Sequence, residues 1–442
     1  MPKEKSVVKQ LLAAVFLLML AVFFVKTEVW KQFGPLVETL KRAVPQNHSV
    51  WQSDSAPAIG ETATTQSDSA AQSDPSAQSY SAAQSDTAMQ SDPVPTLGEI
   101  EESFTSNLWK RTDMIDLTGA MAKTLGMQGY YSDQDIFIMS DGTILDSSAK
   151  TTTDYEVEQT VTLRDFLAER EISLLYVNEP TKYIDDAFFT NAFARETWSN
   201  RNMDRFLSRI REAGVNAIDL RDNIRAEGLN VLDLFYRTDH HWTVPAGLWA
   251  SRIMAEGLNQ YCGYEIDLSL FDPENFETKE RKACWLGEQG RKVGKTYVGL
   301  DDYTEVKPKF ETDYTFRDIG RFYDGPFDLF IDEWVFDPDR DVYENNSWHH
   351  AYNRINCINK NAEKGKLLIL GDSYTAVTHC FLSLGIHEVD SLILRDHGES
   401  FDLRSYIVEN GYDAVLVAYA QFMVGGHDEP TSSSYRMFTF QN

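Results

Sequence analysis

The chain has 442 residues, with 41 Lys and Arg against 68 Asp and Glu, and a formal net charge of −27. So acidic a chain lacks the basic footprint that nucleic-acid binding requires, and its field opposes tight binding to anionic membrane surfaces. The length allows two or three domains at ~100–200 residues each.

Lys3, Lys5 and Lys9 precede an uncharged apolar run, Leu11–Val25. The run is shorter than the ~20 residues of an ordinary span. It passes through Phe23, Phe24 and Val25 into Lys26, Glu28 and Trp30 with no small-x-small cleavage site. The expectation is an uncleaved transmembrane signal anchor over residues 11–30, with residues 1–10 inside the cell, where early lysines belong. A cleaved signal is the alternative. Residues 31–96 follow, first a short juxtamembrane stretch from Gly34 to Val44. Then comes a biased segment in which Gln-Ser-Asp recurs at Gln52, Gln66, Gln72, Gln84 and Gln90. Such a segment buries too little apolar surface to offset its ordering entropy. It reads as a disordered tether of about 50 residues spanning roughly 40 Å.

The folded part is expected over residues 97–442. Ile136–Met139 and Thr143–Leu145 flank Ser140-Asp141-Gly142, a hairpin signal. A helical pattern over Val161–Arg170 leads into an apolar strand, Ile172–Asn178. Met203, Phe206, Leu207 and Ile210 mark one face of a helix over Arg201–Ala213. Gly214 stops it, and Val215–Leu220 is the next strand. Alternation of helix and strand predicts a parallel sheet. Leu232–Tyr236 reads as a further strand, and Thr243 and Pro245 open a helix to about Asn259. Residues 261–364 lose periodicity and read as an irregular insertion of loops and short strands. Its aromatics, Trp285, Trp334, Phe336 and Trp348, suit either a core or stacking on sugar rings. Lys366–Leu370 is a buried strand, Ala376–Leu384 a helix, Ser391–Leu394 a strand ending at Arg395, Phe401–Glu409 a helix, and Ala414–Ala418 the strand that closes the sheet. The tail from Gly425 is polar and expected to fray.

The four cysteines, Cys262, Cys284, Cys357 and Cys380, show neither a CxxC pair nor zinc spacing. In an oxidising compartment Cys262–Cys284 and Cys357–Cys380 are candidate disulfides; four buried free thiols are the alternative.

Two motifs carry chemistry. In KLLILGDSYT the apolar strand ends in Gly371-Asp372-Ser373. That places Ser373 at the carboxyl end of a sheet strand, where ligands collect in open α/β folds. The following helix lets the Ser373 amide face an oxyanion. Such a serine needs a base, and the base needs an orienting carboxylate. TDHHWT at Thr238–Thr243 offers both. In extended backbone, residues two apart share a face, which pairs Asp239 with His241 and turns His240 away. Asp-His-His also suits a metal-dependent phosphoesterase. That reading lacks the further D-x-D block that a two-metal site needs, and His349-His350 has no carboxylates beside it. No cofactor or metal is expected.

GDSYT together with TDHHW resembles the DHHW proteins of Gram-positive bacteria and the wider SGNH-like group of alginate O-acetylation proteins, whose motifs are D-x-H-W and G-D-S. In ordinary SGNH hydrolases the serine comes first. The order here, Asp239, His241, Ser373, is the circularly permuted order of the alginate-type group. The resemblance implies an SGNH hydrolase-like three-layer α/β fold around a parallel sheet. It places Asp239, His241 and Trp242 in the D-x-H-W frame and Ser373 in the GDS frame. Pro180 and Lys182 match the group's P-x-K, and Arg395 or Arg404 its arginine after the serine block. The SGNH glycine and asparagine blocks have no counterpart, which leaves Lys182 and Tyr374 as candidates for the second oxyanion donor. The activity implied is O-acetyl transfer to a surface or exported polysaccharide, outside the membrane, with a multi-pass membrane acyltransferase supplying the acetyl group. A polysaccharide O-acetylesterase and a non-catalytic carbohydrate-binding scaffold are the other readings.

Overall fold

The computed structural model describes residues 110–131, 135–318, 321–331, 341–344, 356–397, 401–425 and 433–440. The anchor, the tether, Trp334, Phe336, Trp348 and His349-His350 lie outside the described residues. Among the described residues no helix is long and apolar enough to cross a membrane.

Helix α1 (Arg111–Leu125) precedes a small antiparallel sheet of β1 (Gly129–Tyr131), β2 (Asp135–Ile138) and β3 (Ile144–Asp146). The expected hairpin is therefore present. Next come α2 (Asp154–Ala168), β4 (Ser173–Glu179), α3 (Asp186–Phe193), α4 (Ser199–Glu212), β5 (Asn216–Asp219) and α5 (Leu220–Glu227). Met203, Phe206, Leu207 and Ile210 are the buried face of α4, as their spacing requires. After it, Gly214 takes a φ of 91°, a conformation glycine adopts without strain.

Leu232–Tyr236 is not a strand. Val231–Leu234 forms a 3-10 turn, and Phe235 makes only an isolated bridge to Trp242. Helix α6 (Val244–Cys262) is capped by the Thr243 hydroxyl, which accepts from the Ala246 amide, with Pro245 in the first turn. The segment read as an insertion is more regular than expected. β6 (Phe276–Trp285) and β7 (Asp301–Pro308) form a long antiparallel hairpin with α7 (Glu288–Val293) and α8 (Lys295–Val298) between them. β8 (Tyr314–Asp318), β9 (Arg321–Gly325) and β10 (Asn356–Asn359) extend the main sheet. Within this region Trp285 is buried core.

The chain then runs through β11 (Lys366–Gly371), α9 (Thr375–Leu382), β12 (Glu388–Leu392), α10 (Leu403–Asn410), β13 (Ala414–Ala420) and α11 (Ser433–Met437). The main sheet has the order β5-β4-β13-β11-β12-β10-β8-β9. β5 to β12 are parallel, whereas β10, β8 and β9 pair antiparallel. The sheet is thus mixed, not wholly parallel. β13 lies inside it, between β4 and β11, and all seven of its residues are buried.

Alternation along the strands builds a core on each face. Leu175, Val177, Leu367, Ile369 and Leu416 pack with α6 and α9, while Leu174, Tyr176, Leu368, Leu370, Val415 and Val417 pack with α2, α4 and α10. This is the three-layer arrangement. The tail does not fray where it is described: Met437, Phe438 and Phe440 are fully buried in the second core.

Candidate active site

The turn after β11 is organised by Asp372. Its carboxylate accepts from the Tyr374 amide at 2.9 Å and from the Ala420 amide of β13 at 2.8 Å. Its carbonyl accepts from the Thr375 hydroxyl at 2.6 Å. Burial pushes the Asp372 carboxyl up, while those amides and the nearby Arg395 charge oppose it. Ser373, the next residue, is only half-buried. No group among the described residues takes its amide, which sits just before α9. It is a free donor at a helix N-terminus.

The second loop is closed at its base by Tyr236 N–H to His241 O at 3.2 Å and Thr243 N–H to Leu234 O at 2.8 Å. At its tip Asp239 and His241 share a face: Asp239 Oδ1 lies 2.6 Å from His241 Nδ1. The other ring nitrogen, Nε2, lies 2.6 Å from Ser373 Oγ, across 132 residues of chain. Trp242 locks the two loops together, its Nε1–H donating to the Tyr374 carbonyl at 3.1 Å. The tautomer follows from the partners: Nδ1–H donates to the carboxylate, which leaves Nε2 to accept from the serine hydroxyl.

Burial works against the Asp239 charge, but contact with His241 and the Glu288 amide, 2.7 Å from Oδ2, holds its carboxyl well below the usual range. Burial and the adjacent His240 imidazole push His241 down to about 4, outweighing the attraction of Asp239. The imidazole is therefore neutral near pH 7, the form that a base requires.

His240 is not turned away as extended backbone would have it, because residues 237–241 form a turn, yet it does not join this relay. Its ring stacks on His241 with centroids 3.9 Å apart, and its Nδ1 is 3.8 Å from Asp239. Asp239, His240 and His241 offer ligand atoms within 4.8 Å of one another, yet both ring nitrogens of His241 and both oxygens of Asp239 already have partners. Holding a metal there would dismantle the contact with Ser373.

The remaining sequence candidates separate clearly. Tyr374 donates its hydroxyl to the His240 carbonyl, and its amide goes to Asp372. Lys182 is buried and donates to the Ile144 carbonyl at 2.7 Å and the Arg237 carbonyl at 2.9 Å. Both are committed to framing the loops, so neither is placed as an oxyanion donor. Arg395 lies near enough to Asp372 to favour its charge. Arg404 instead donates to the Phe440 carbonyl at 3.3 Å and sits over the Phe166 ring, away from the serine. The four cysteines are free thiols, which removes both candidate disulfides. Cys357 instead contacts His379 Nε2 at 3.4 Å.

Residues that motif reading missed brace the DHHW loop. Thr238 donates its amide and hydroxyl to Asp301 at 2.8 and 2.7 Å. The Thr238 hydroxyl and carbonyl accept from the Gly287 and Gly290 amides, each at 2.8 Å. A Cβ on Gly287 would lie 2.3 Å from that of Asp239, so only glycine allows this approach. The one available sequence signal was Trp285-Leu286-Gly287, an apolar pair ending in glycine. A cavity of about 740 Å³ between α3, α4 and α5 shares no lining residue with this relay.

Residues 137–284 match the family model for the SGNH hydrolase-like domain, acetyltransferase AlgX. The match includes Asp239, His241 and Trp242 and ends before Ser373. No curated protein matches the sequence. Among solved structures, PatB1 from Bacillus cereus has a TM-score of 0.56 at 21% identity, over 70% of this chain and 100% of that one. A DHHW family protein from Eubacterium siraeum has a TM-score of 0.48 at 15% identity, over 68% of this chain and 95% of that one. The O-acetyltransferase domain of Pseudomonas putida AlgJ has 0.40 at 15%, over 66% and 93%. At 21% identity the likeness to PatB1 is one of fold. The resemblance to the SGNH-like alginate acetylation group is borne out by the family match, in which residues 137–284 are similar to the SGNH hydrolase-like domain.

Proposed function

We propose that the protein is a serine-dependent O-acetyltransferase acting on a cell-surface or exported polysaccharide. The observation that carries this reading is the continuous contact from Asp239 through His241 to Ser373, with 2.6 Å at each link. The match to a family described as an acetyltransferase supports it.

In the first half-reaction His241 Nε2 takes the Ser373 proton as Oγ attacks the acetyl carbonyl. The Ser373 amide steadies the developing oxyanion, a role worth about 3–4 kcal/mol per donor in such sites. Protonated His241, held by Asp239, then returns the proton to the departing group, which leaves acetyl-Ser373. In the second half-reaction a sugar hydroxyl attacks that ester and gives its proton to His241 Nε2. The sugar ester departs, and the proton passes back to Oγ. Attack by water in place of the sugar makes the same site an esterase.

The proposal takes the expected anchor over residues 11–30, followed by the juxtamembrane segment and tether over 31–96, to hold the domain outside the membrane. A multi-pass membrane acyltransferase would deliver the acetyl group.

The test is rapid-mixing kinetics with 4-nitrophenyl acetate. The proposal expects a burst of nitrophenol stoichiometric with enzyme and no burst in Ser373→Ala. A burst of equal size in that variant would overturn it. Steady-state turnover with and without oligosaccharide then separates transfer from hydrolysis.

A further inference from the structure

Any substrate that reaches Ser373 must cross the surface around it. Asp239, His241, Trp242, Asp372 and Tyr374, which build the relay, are buried. His240 and Phe422 are partly exposed, as is Ser373 itself. Phe422 follows directly on β13 in a 3-10 turn, at the same sheet edge as the serine. Its ring meets His240 edge-on at 5.6 Å and Tyr374 at 5.9 Å. His240 in turn lies on His241, whose Nε2 touches Ser373 Oγ. The two rings thus form a continuous aromatic wall running outward from the reacting oxygen. Aromatic lining with a few polar groups is usual in an organic ligand site, and a ring face there suits the C–H face of a sugar ring.

The charges around the wall constrain that sugar. Among the described residues the basic groups nearby are engaged. Lys182 donates to carbonyls, and Arg237 holds Asp301 at 3.2 Å and the carbonyls of Asp141 and Leu300 at 2.9 Å. Lys292 pairs with Glu288 at 3.2 Å, and Arg395 with Asp396 at 3.8 Å. Asp239 and Glu288 are carboxylates beside His240, both held below their ordinary range against the push of burial by neighbours that include the histidines. Among the described residues each of these cations already has a carboxylate or carbonyl partner, so an anionic sugar would have to compete for it while facing like charge.

We infer that Phe422 and His240 are the acceptor subsite, and that the acceptor docked on them is an uncharged pyranose rather than a uronate. This rests on the acyl-transfer reading above and names its substrate class.

The experiment uses the full chain, acetylated with 4-nitrophenyl acetate and followed by intact-mass spectrometry. Discharge is compared in buffer alone, with fully methyl-esterified hexagalacturonate, and with the free acid of the same oligosaccharide, two sugars that share a backbone and differ in charge and the ester methyl. The ratio of discharge by sugar to discharge by water is read within each sample, which scores a poorly acylating variant as fairly as the wild type. The inference expects the neutral ester to discharge the enzyme roughly tenfold faster than the acid. It expects Phe422→Ala to lose most of the sugar-to-water advantage and Phe422→Trp to keep it, with thermal melting confirming that each variant is folded. Equal or faster discharge by the acid, no discharge by either sugar, or an unchanged ratio in Phe422→Ala overturns the inference and leaves acetyl-Ser373 standing. Absence of any acetyl adduct on the wild type overturns the acyl-transfer reading and this inference with it.

Discussion

Asp301 of β7 takes both the amide and the hydroxyl of Thr238, at 2.8 and 2.7 Å, and so fixes the residue next to Asp239. It also accepts from the Arg237 amide and pairs with the Arg237 guanidinium, each at 3.2 Å. Removing a buried carboxylate with these partners strands three donors and a cation. Asp301→Ala is expected to cost about 3 kcal/mol of stability and to slow acylation by loosening the DHHW loop. Urea unfolding and kcat/KM of acylation check this, with unchanged values in both as the contrary result. Asp301→Asn, which keeps one oxygen acceptor, should lie between.

Gly287 stands against Asp239 with no room for a methyl group. Gly287→Ala must move Asp239 or the Thr238 carbonyl, 2.6 Å from the added atom. A displacement near 1 Å at a catalytic group costs on the order of 10²-fold in rate. The expected signature is a fall in the acylation rate with KM for a small ester nearly unchanged. A rate within twofold of wild type would contradict it.

The two histidines of TDHHWT should differ sharply. His241→Ala removes the imidazole that touches Ser373 and is expected to lower acylation by on the order of 10⁴-fold or more. His240→Ala should lower it less than tenfold, an order-of-magnitude expectation for a group outside the relay. Kinetics with a small activated ester decide it, and the reverse ranking would move the base to His240.

The pH profile follows from burial of His241. The base works when neutral, so acylation falls as pH drops through its folded pKa. With burial and His240 pushing it to about 4, the acid limb of kcat/KM should lie well below the ordinary 6.5. Losing the His240 push should raise that limb in His240→Ala. Stability has the same sign. Between 6.5 and about 4 the unfolded chain binds more protons at His241 than the folded one, so stability falls as pH is lowered through that window. A limb at 6.5 or above would contradict this account.

The free thiols predict indifference to reductant. Dithiothreitol should leave the melting temperature within about 1 °C, since no cross-link constrains the unfolded chain. A clear drop would show that a disulfide exists.

How much of this was readable from sequence depended on how local each signal was. The strand and turn of KLLILGDS are written in consecutive residues, and the Asp239–His241 face follows from a two-residue spacing. Both emerged, although the Asp239–His241 segment is a turn rather than extended backbone and His240 lies against His241 instead of turning away. The mixed sheet did not, because the edge pairing of β8, β9 and β10 joins residues far apart, and antiparallel edge strands alternate exposed and buried side chains. β6, FETKERKACW, is largely exposed along its length, which hides a strand among charges. The hairpin it forms with β7 is what carries Asp301 to Thr238. Phe438 and Phe440 were hidden for another reason: a polar tail fixes nothing until the second core receives it. The disulfide expectation failed because spacing says nothing about where thiols point. His379, one residue before Cys380, faces Cys357.

The most direct measurement is the site of acetylation. Full-length protein treated with 4-nitrophenyl acetate, digested and sequenced by tandem mass spectrometry, is expected to carry one acetyl group on the Ser373 peptide. Ser373→Ala should carry none there, and His241→Ala only a trace. An acetyl group placed stoichiometrically on any other residue, or one that survives Ser373→Ala, would contradict the account.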